Sequence, residues 1–226
     1  MPLLSRHQIK SSNRYTMTIN IEQLNADAAG KEPQEIIKLL LDADPSAFVT
    51  TNFGPQATVL LHMLTQVKPD IPVIWVDSGL NKVETYEFAD IAADELNLNL
   101  QVYTPTITAA RFEAVMGGIP SLDDSRHAEF TKQFKLDPFE RAMNEQTGKV
   151  WFSAVRREQT AERAEMDHVA EGPYGLVKAA PLLDWTAADM AAYIEKYDLP
   201  NETDYFDPTK AANDRECGLH TLQASK

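Results

Sequence analysis

The sequence contains one cysteine, Cys217, which stands in the polar stretch NDRECGLHTLQASK near the end of its 226 residues. An unpaired cysteine is most often a small buried hydrophobe. The residues around this one offer little apolar surface for a core, since Asn213, Asp214 and Glu216 precede it and Gly218 follows it. A reactive thiol is therefore the favoured interpretation, with burial as the alternative.

Two short polar segments follow predicted strands and suit an anionic ligand. The first is TTNFGPQ, which places hydroxyls, an amide and a glycine turn at the start of a helix, where free backbone N–H groups favour phosphate or sulfate. It lacks the lysine of a GxxxxGK[ST] loop, and ordinary helix capping is the competing interpretation. The second, DSG, could equally be a strand-ending turn. The candidate residues are Thr50, Thr51, Asn52, Phe53, Gly54, Gln56, Asp77, Ser78 and Gly79.

A third segment, VRREQTAERAEM, concentrates positive charge in an acidic protein. Its guanidinium groups suit phosphate or sulfate oxygens, and the candidate ligand-binding residues are Arg156, Arg157, Glu158, Gln159 and Arg163. The alternative is a solvated helix face with pairs such as Glu158 to Arg163. The net charge of −13 argues against broad binding to nucleic acid, so an anionic substrate needs a local basic pocket.

Composition limits the class of protein. A chain of this length with 43% hydrophobic residues can bury the core of one α/β domain. It shows no apolar run of the roughly 20 residues that span a bilayer and no apolar leader, so we expect a cytoplasmic protein without a membrane partner. One cysteine cannot form an intrachain disulfide or hold an iron–sulfur cluster, and the scattered histidines show no metal-ligand spacing.

The periodicity predicts alternating strands and helices. Strands are expected in SAFVTT, IPVIWVDSG, LNLQVYTP, KVWFSAV and GLVKAAPLLDW. Helices are expected in EPQEIIKLLLDAD, in the segment that follows Gly54 with Pro55 as its first helical residue, in VETYEFADIAADEL, around 108–116 and 138–146, and in TAADMAAYIEKYD with Thr186 as N-cap.

This alternation predicts an open, mostly parallel sheet flanked by helices. Ligands of such sheets bind beyond the carboxyl ends of the strands, so the three polar segments are expected to converge on one site. We expect residues 1–16 to be a disordered extension, 17–200 to form the nucleotide-binding α/β domain, and 201–226 to form a mobile tail that carries the cysteine.

Five motifs in order resemble the thioredoxin-dependent phosphoadenylyl-sulfate (PAPS) reductases of assimilatory sulfate reduction. They are NFGPQATVLLHM, VIWVDSGLNKVETYEF, VWFSAVRREQTAERA, PLLDWTAADMAAYI and RECGLH, and the resemblance covers about residues 35–220. The resemblance implies an adenine-nucleotide α-hydrolase-like fold. It also implies that Cys217 attacks the activated sulfate to form an S-sulfonate, from which reduced thioredoxin or glutaredoxin releases sulfite.

Under this resemblance, Arg215 and His220 are the nearest cations that could lower the pKa of the Cys217 thiol and are assigned to catalysis with it. The resemblance implies a homodimer, and we expect no bound cofactor or metal. Three features depart from the family pattern: the segment before the cysteine is shorter, Asn52 stands where the phosphate loop usually has serine, and LNKV replaces the usual aromatic residue and proline after DSG. Two alternatives therefore stay open. The protein is a nucleotide-binding relative without reductase chemistry, or its substrate is adenylyl sulfate. An ATP-dependent adenylating enzyme is disfavoured because the SGGxDS loop is absent.

Overall fold

The computed structural model describes residues 19–121 and 123–207. The expected N-terminal extension and the three residues assigned to catalysis, Arg215, Cys217 and His220, lie outside the described residues. The tail predicted from residue 201 is described up to residue 207.

A six-stranded sheet forms the centre of the described chain. Its strands run in the order β3-β2-β1-β4-β6-β5, and all neighbours pair in parallel except β5 and β6, which are antiparallel. The mostly parallel sheet predicted from the sequence is thereby confirmed. The strand bounds are β1 Phe48–Thr51, β2 Pro72–Val76, β3 Asn99–Tyr103, β4 Val150–Phe152, β5 Val169–Glu171 and β6 Val177–Ala179.

Helices fill the connections between the strands. A π-helical turn, Lys132–Leu136, joins α6 to α7, and single 3-10 turns lie at Arg157–Gln159 and Pro173–Gly175. The helix bounds are α1 Ile21–Ala28, α2 Pro33–Ala43, α3 Ala57–Val67, α4 Val83–Glu95, α5 Ala109–Met116, α6 His127–Thr131, α7 Asp137–Glu145, α8 Ala161–Ala164 and α9 Ala187–Tyr197.

The start of α3 differs from the expectation that Pro55 opens the helix. Gln56 adopts a left-handed backbone conformation, with φ of 64°, so the helix begins at Ala57, two residues later than expected. The predicted cap of α9 is confirmed, because the Thr186 hydroxyl accepts a hydrogen bond from the Asp189 backbone N–H at 3.2 Å. The sequence reasoning missed α1, α6, α8 and β5, all of which have eight residues or fewer.

Both faces of the sheet are buried, which explains the nearly continuous apolar runs of its central strands. Val49 and Val73 face a core shared with α2, α3, α4 and α9. Phe48 and Ile74, the alternate residues, pack with Phe139 of α7 on the other face. Among the described residues, no helix combines the length and apolar character that crossing a bilayer requires.

Candidate functional site

An open cleft of about 440 Å³ lies at the carboxyl ends of β1, β2 and β4. The chain winds from β1 outward to β3 and then returns to place β4 on the other side of β1, so the sheet order reverses between β1 and β4. Loops leave in opposite directions at such a switch point and open a crevice for a ligand. The Trp151 indole N–H of β4 donates to the Thr50 hydroxyl of β1 at 2.8 Å and fixes the floor of the crevice.

The loop between β1 and α3 forms one wall. Its turn is built by its own side chains: Thr51 Oγ1 accepts from the Phe53 N–H at 3.1 Å, and Asn52 Oδ1 accepts from the Gly54 N–H at 3.1 Å. Gln56 then turns the chain into α3. The TTNFGPQ segment thus lines the cleft and stabilises its own turn, but it does not cap α3, because the N-cap residue Gln56 makes no side-chain cap hydrogen bond.

Residues 200–207, which we call the strap, pack against this loop. The Asn201 side-chain oxygen accepts from the Gln56 N–H at 2.7 Å, and the Pro200 carbonyl accepts from the Thr58 hydroxyl at 2.8 Å. A Cβ added to Gly54 would lie 3.3 Å from the Tyr205 ring, so glycine at this position allows the close approach of the strap.

Cationic side chains from two parts of the chain border the cleft. Arg156 and Arg163 follow β4, and Lys135 comes from the π-helical turn between α6 and α7. Arg156 is 7% exposed and contacts Glu158 through Nε at 3.3 Å. Glu158 compensates the buried charge of Arg156, and a guanidinium has further N–H donors that suit the oxygens of phosphate or sulfate.

The DSG segment presents Ser78 to the cleft, while Asp77 organises the loop from behind. One Asp77 oxygen accepts from the Gly79 N–H at 2.8 Å, from the Asn81 side chain at 2.9 Å and from the Tyr86 hydroxyl at 2.9 Å. Burial, followed by this carboxylate, raises the pKa of Tyr86. Asp77 therefore acts on the site through the residues that it positions.

The cleft brings together most of the predicted binding residues but leaves five out of its lining. Its lining includes Thr50, Thr51, Asn52, Gly54, Gln56, Ser78, Arg156, Gln159 and Arg163. Those outside it are Phe53, Asp77, Gly79, Arg157 and Glu158. Phe53 is fully buried and meets the Trp75 ring edge to face at a centroid distance of 5.0 Å. Arg157 is turned toward Asp184.

Sequence reasoning missed five polar cleft residues. They are Asn81, Lys135, Ser153, Tyr205 and Asp207. Lys135 Nζ lies 2.5 Å from the Asp207 carboxylate, and both side chains are about nine-tenths buried, at 12% and 11% exposure. No motif marked Lys135, because it is far in sequence from the other site residues and reaches the cleft only through the packing of α7.

The described side chains equip the cleft to bind a ligand that has both an anionic group and an uncharged polar group. The cationic side chains partly neutralise the charge of the anionic group. In the described part of the chain, no group of three or more His, Cys, Asp and Glu residues is arranged to hold a metal ion. The thiol that would react with a bound ligand, Cys217, lies beyond residue 207.

Comparison with known proteins agrees with this geometry. The sequence model described as "Phosphoadenosine phosphosulfate reductase domain" matches residues 46–206. A Synechococcus protein named phosphoadenosine 5'-phosphosulfate reductase is 37% identical over 185 residues, 80% of this chain and 78% of the relative. One of the same name from Xanthomonas axonopodis pv. citri is 32% identical over 229 residues, 89% and 92% of the two chains.

Among solved structures, PAPS reductase from Candida auris in a phosphate complex superposes with a TM-score of 0.71 and 24% identity, over 80% of this chain and 87% of that one. This likeness establishes the fold. The family match covers more than half of the sequence, and the relatives exceed 30% identity over most of their length. The chain therefore belongs to the phosphoadenosine phosphosulfate reductase family.

Proposed function

We propose that this protein reduces 3'-phosphoadenylyl sulfate to sulfite and adenosine 3',5'-bisphosphate in assimilatory sulfate reduction. The observation that carries the proposal is the cleft at the β1/β4 switch point, which gathers Arg156, Arg163 and Lys135 in a protein of net charge −13. Such a local concentration of cations is what an acidic protein needs to bind a polyanionic nucleotide. Family membership supports PAPS as this nucleotide.

The reaction divides into two steps. The Cys217 thiolate attacks the sulfur of the activated sulfate; an S–S bond forms, the S–O bond to the nucleotide breaks, and adenosine 3',5'-bisphosphate leaves. One thiolate of an external dithiol then attacks the Cys217 sulfur and expels sulfite. The second thiol of the donor resolves the mixed disulfide, so the donor leaves as a disulfide and sulfur is reduced from sulfate to sulfite.

The described residues bind and orient the substrate for this attack. Arg156 and Arg163 hold anionic oxygens and offset the charge that develops on the departing nucleotide. Thr50, Thr51 and Ser78 supply hydroxyl groups at the strand ends. Arg215 and His220 stabilise the thiolate form of Cys217 and so lower its pKa.

The proposal includes the partners of the reaction. Reduced thioredoxin or glutaredoxin serves as the electron donor, and no bound cofactor is needed because the donor dithiol supplies both electrons. We further propose that the protein works in the cytoplasm as a homodimer. A dithiol donor fits a reducing compartment, in which free thiols persist.

Sulfite release from PAPS in the presence of reduced thioredoxin tests the activity, with adenylyl sulfate assayed in parallel. Turnover of PAPS supports the proposal. Turnover of adenylyl sulfate but not of PAPS would identify adenylyl sulfate as the substrate. Binding of either nucleotide without sulfite formation would show that the protein binds nucleotides but has no reductase activity.

A trapped intermediate tests the role of Cys217. Incubation with PAPS and no thioredoxin should give a sulfonate adduct on Cys217 by mass spectrometry, which reduced thioredoxin discharges. Cys217→Ser should abolish both the adduct and sulfite formation while nucleotide affinity stays near that of the wild type. A melting temperature that falls sharply in this variant would instead indicate a packed structural cysteine.

A further inference from the structure

The strap places two of its own acceptors on donors of the substrate cleft. Asn201 Oδ1 accepts from the Gln56 N–H at 2.7 Å, beside the start of α3. The Asp207 carboxylate accepts from Lys135 Nζ at 2.5 Å. Backbone N–H groups at helix starts and lysine ammonium groups are both donors that a phosphate or sulfate would use.

The Lys135–Asp207 pair belongs to the cleft rather than to the outer surface. Both residues line the cavity, and their side chains are 12% and 11% exposed. A second ion pair of the strap, Lys82–Asp204, has side chains 39% and 66% exposed and is in contact with solvent. A carboxylate held so deeply against a cleft cation occupies a position that an anionic ligand would otherwise take.

We propose that Asp207 is an internal competitor for the substrate, an affinity-setting residue whose carboxylate holds Lys135 until an anionic group of the nucleotide displaces it. This inference rests on the proposed function for the identity of the nucleotide. Displacement exchanges one ion pair in the cleft for another, so the energetic cost of releasing Asp207 is subtracted from the affinity for the ligand.

The exchange also has a consequence for the strap itself. Tyr205 packs beside Gly54 and Asp207 anchors the end of the strap. Cys217 follows ten positions later in the sequence. Nucleotide binding would therefore release Asp207, the last described residue of the strap, from Lys135 only when a substrate anion is present.

Calorimetric titration of the full chain with adenosine 3',5'-bisphosphate tests the competition. Asp207→Asn keeps the side-chain volume but removes the charge, and we expect it to bind about tenfold more tightly than the wild type, the order of one charge-assisted contact. Asp137→Asn is the matched control: Asp137 pairs with Lys132 near the same cleft cation, but the pair is largely exposed at 43% and 57%. Its affinity should stay within about twofold of the wild type.

The cation partner supplies the second arm. Lys135→Met should weaken binding, and adding Asp207→Asn to Lys135→Met should give no further gain beyond about twofold, because the cation for which Asp207 and the ligand compete is then absent. An unchanged or weaker affinity in Asp207→Asn overturns the inference. So does an equal gain in Asp137→Asn or in the Lys135→Met background, since either result indicates a general charge effect.

Sulfate as a second probe separates this inference from the proposed function. If no nucleotide binds to the wild type, the proposed function fails; tighter sulfate binding by Asp207→Asn than by Asp137→Asn would still support the competition at Lys135. If Asp207→Asn gains affinity for neither probe, the competition is ruled out, whatever the substrate.

Discussion

The Arg157 guanidinium donates from Nε to the Asp184 carboxylate at 2.6 Å, which joins the turn after β4 to the segment after β6. Its Nη1 donates to the Ala164 carbonyl at 3.0 Å and also to that of Met166. Arg156, the preceding residue, lines the cleft instead. Two adjacent arginines of one motif therefore point in different directions and do different work.

Replacing Arg157 should lower stability more than ligand affinity. Arg157→Ala removes one ion pair and the contacts to two carbonyl groups, so we expect the free energy of unfolding to fall by about 1–2 kcal/mol, given partial solvent exposure. The dissociation constant of adenosine 3',5'-bisphosphate should change by less than about threefold. Urea unfolding and calorimetry measure the two quantities. A large loss of affinity with normal stability would show that Arg157 contacts the substrate.

The same corner should give a pH-dependent contribution to stability. The hydrogen bond from Arg157 lowers the pKa of Asp184, with a further contribution from the charge of His168. A carboxyl whose pKa is lowered by folding stabilises the native state above its unfolded pKa of about 3.9, and this stabilisation is lost as the pH falls through the folded pKa. The wild type should therefore exceed Asp184→Asn in stability most clearly above about pH 5, and the difference should narrow below about pH 3. Urea unfolding across this range measures it, and a difference that grows on acidification would contradict the assignment.

Phe53 should behave as a core residue despite its place in a ligand-binding motif. It is fully buried between Trp75 and Phe88, with ring centroids at 5.0 and 6.2 Å. Phe53→Ala should lower the free energy of unfolding by about 3–5 kcal/mol, because the cavity would lie inside the main core. The control Phe206→Ala, at a side chain 51% exposed, should change it by less than about 0.5 kcal/mol. Equal effects in urea unfolding would show that Phe53 is not packed as described.

The fold was predictable where the local pattern was strong. The central strands are continuous apolar runs in the sequence because both of their faces are buried. The start of α9 was predicted from Thr186, its N-cap residue. By contrast, β5 has only three residues, Val169–Glu171, of which one is buried. Its antiparallel pairing at the sheet edge depends on the hairpin through Pro173–Gly175 and leaves no periodic signal in the sequence.

The site was predictable where its residues follow strands. Parallel strands deliver their carboxyl ends to one edge, so TTNFGPQ, DSG and the arginine segment could be brought together from topology alone. Topology does not predict which side chain of each motif faces the cleft. Phe53 packs into the core, and Arg157 pairs with Asp184. The pairing of Lys135 with Asp207 could be found only from the three-dimensional structure, because the two residues are 72 positions apart in the sequence.

Arg156 is the arginine on which we expect nucleotide affinity to depend. It is 7% exposed, its backbone N–H donates to Gln159 Oε1 at 3.0 Å, and its guanidinium contacts Glu158, so its position in the cleft is held from two directions. Arg156→Ala should weaken binding of adenosine 3',5'-bisphosphate by about 1.5–3 kcal/mol, the range for hydrogen bonds to a charged group. Arg156→Lys should recover only part of this, because an ammonium cannot form the paired contacts of a guanidinium. Arg126→Ala, which removes an exposed arginine paired with Asp124, is the calorimetric control and should bind as the wild type does. If Arg156→Ala binds the nucleotide as tightly as Arg126→Ala while remaining folded, the arginine segment is only a charged surface and the ligand must be held elsewhere.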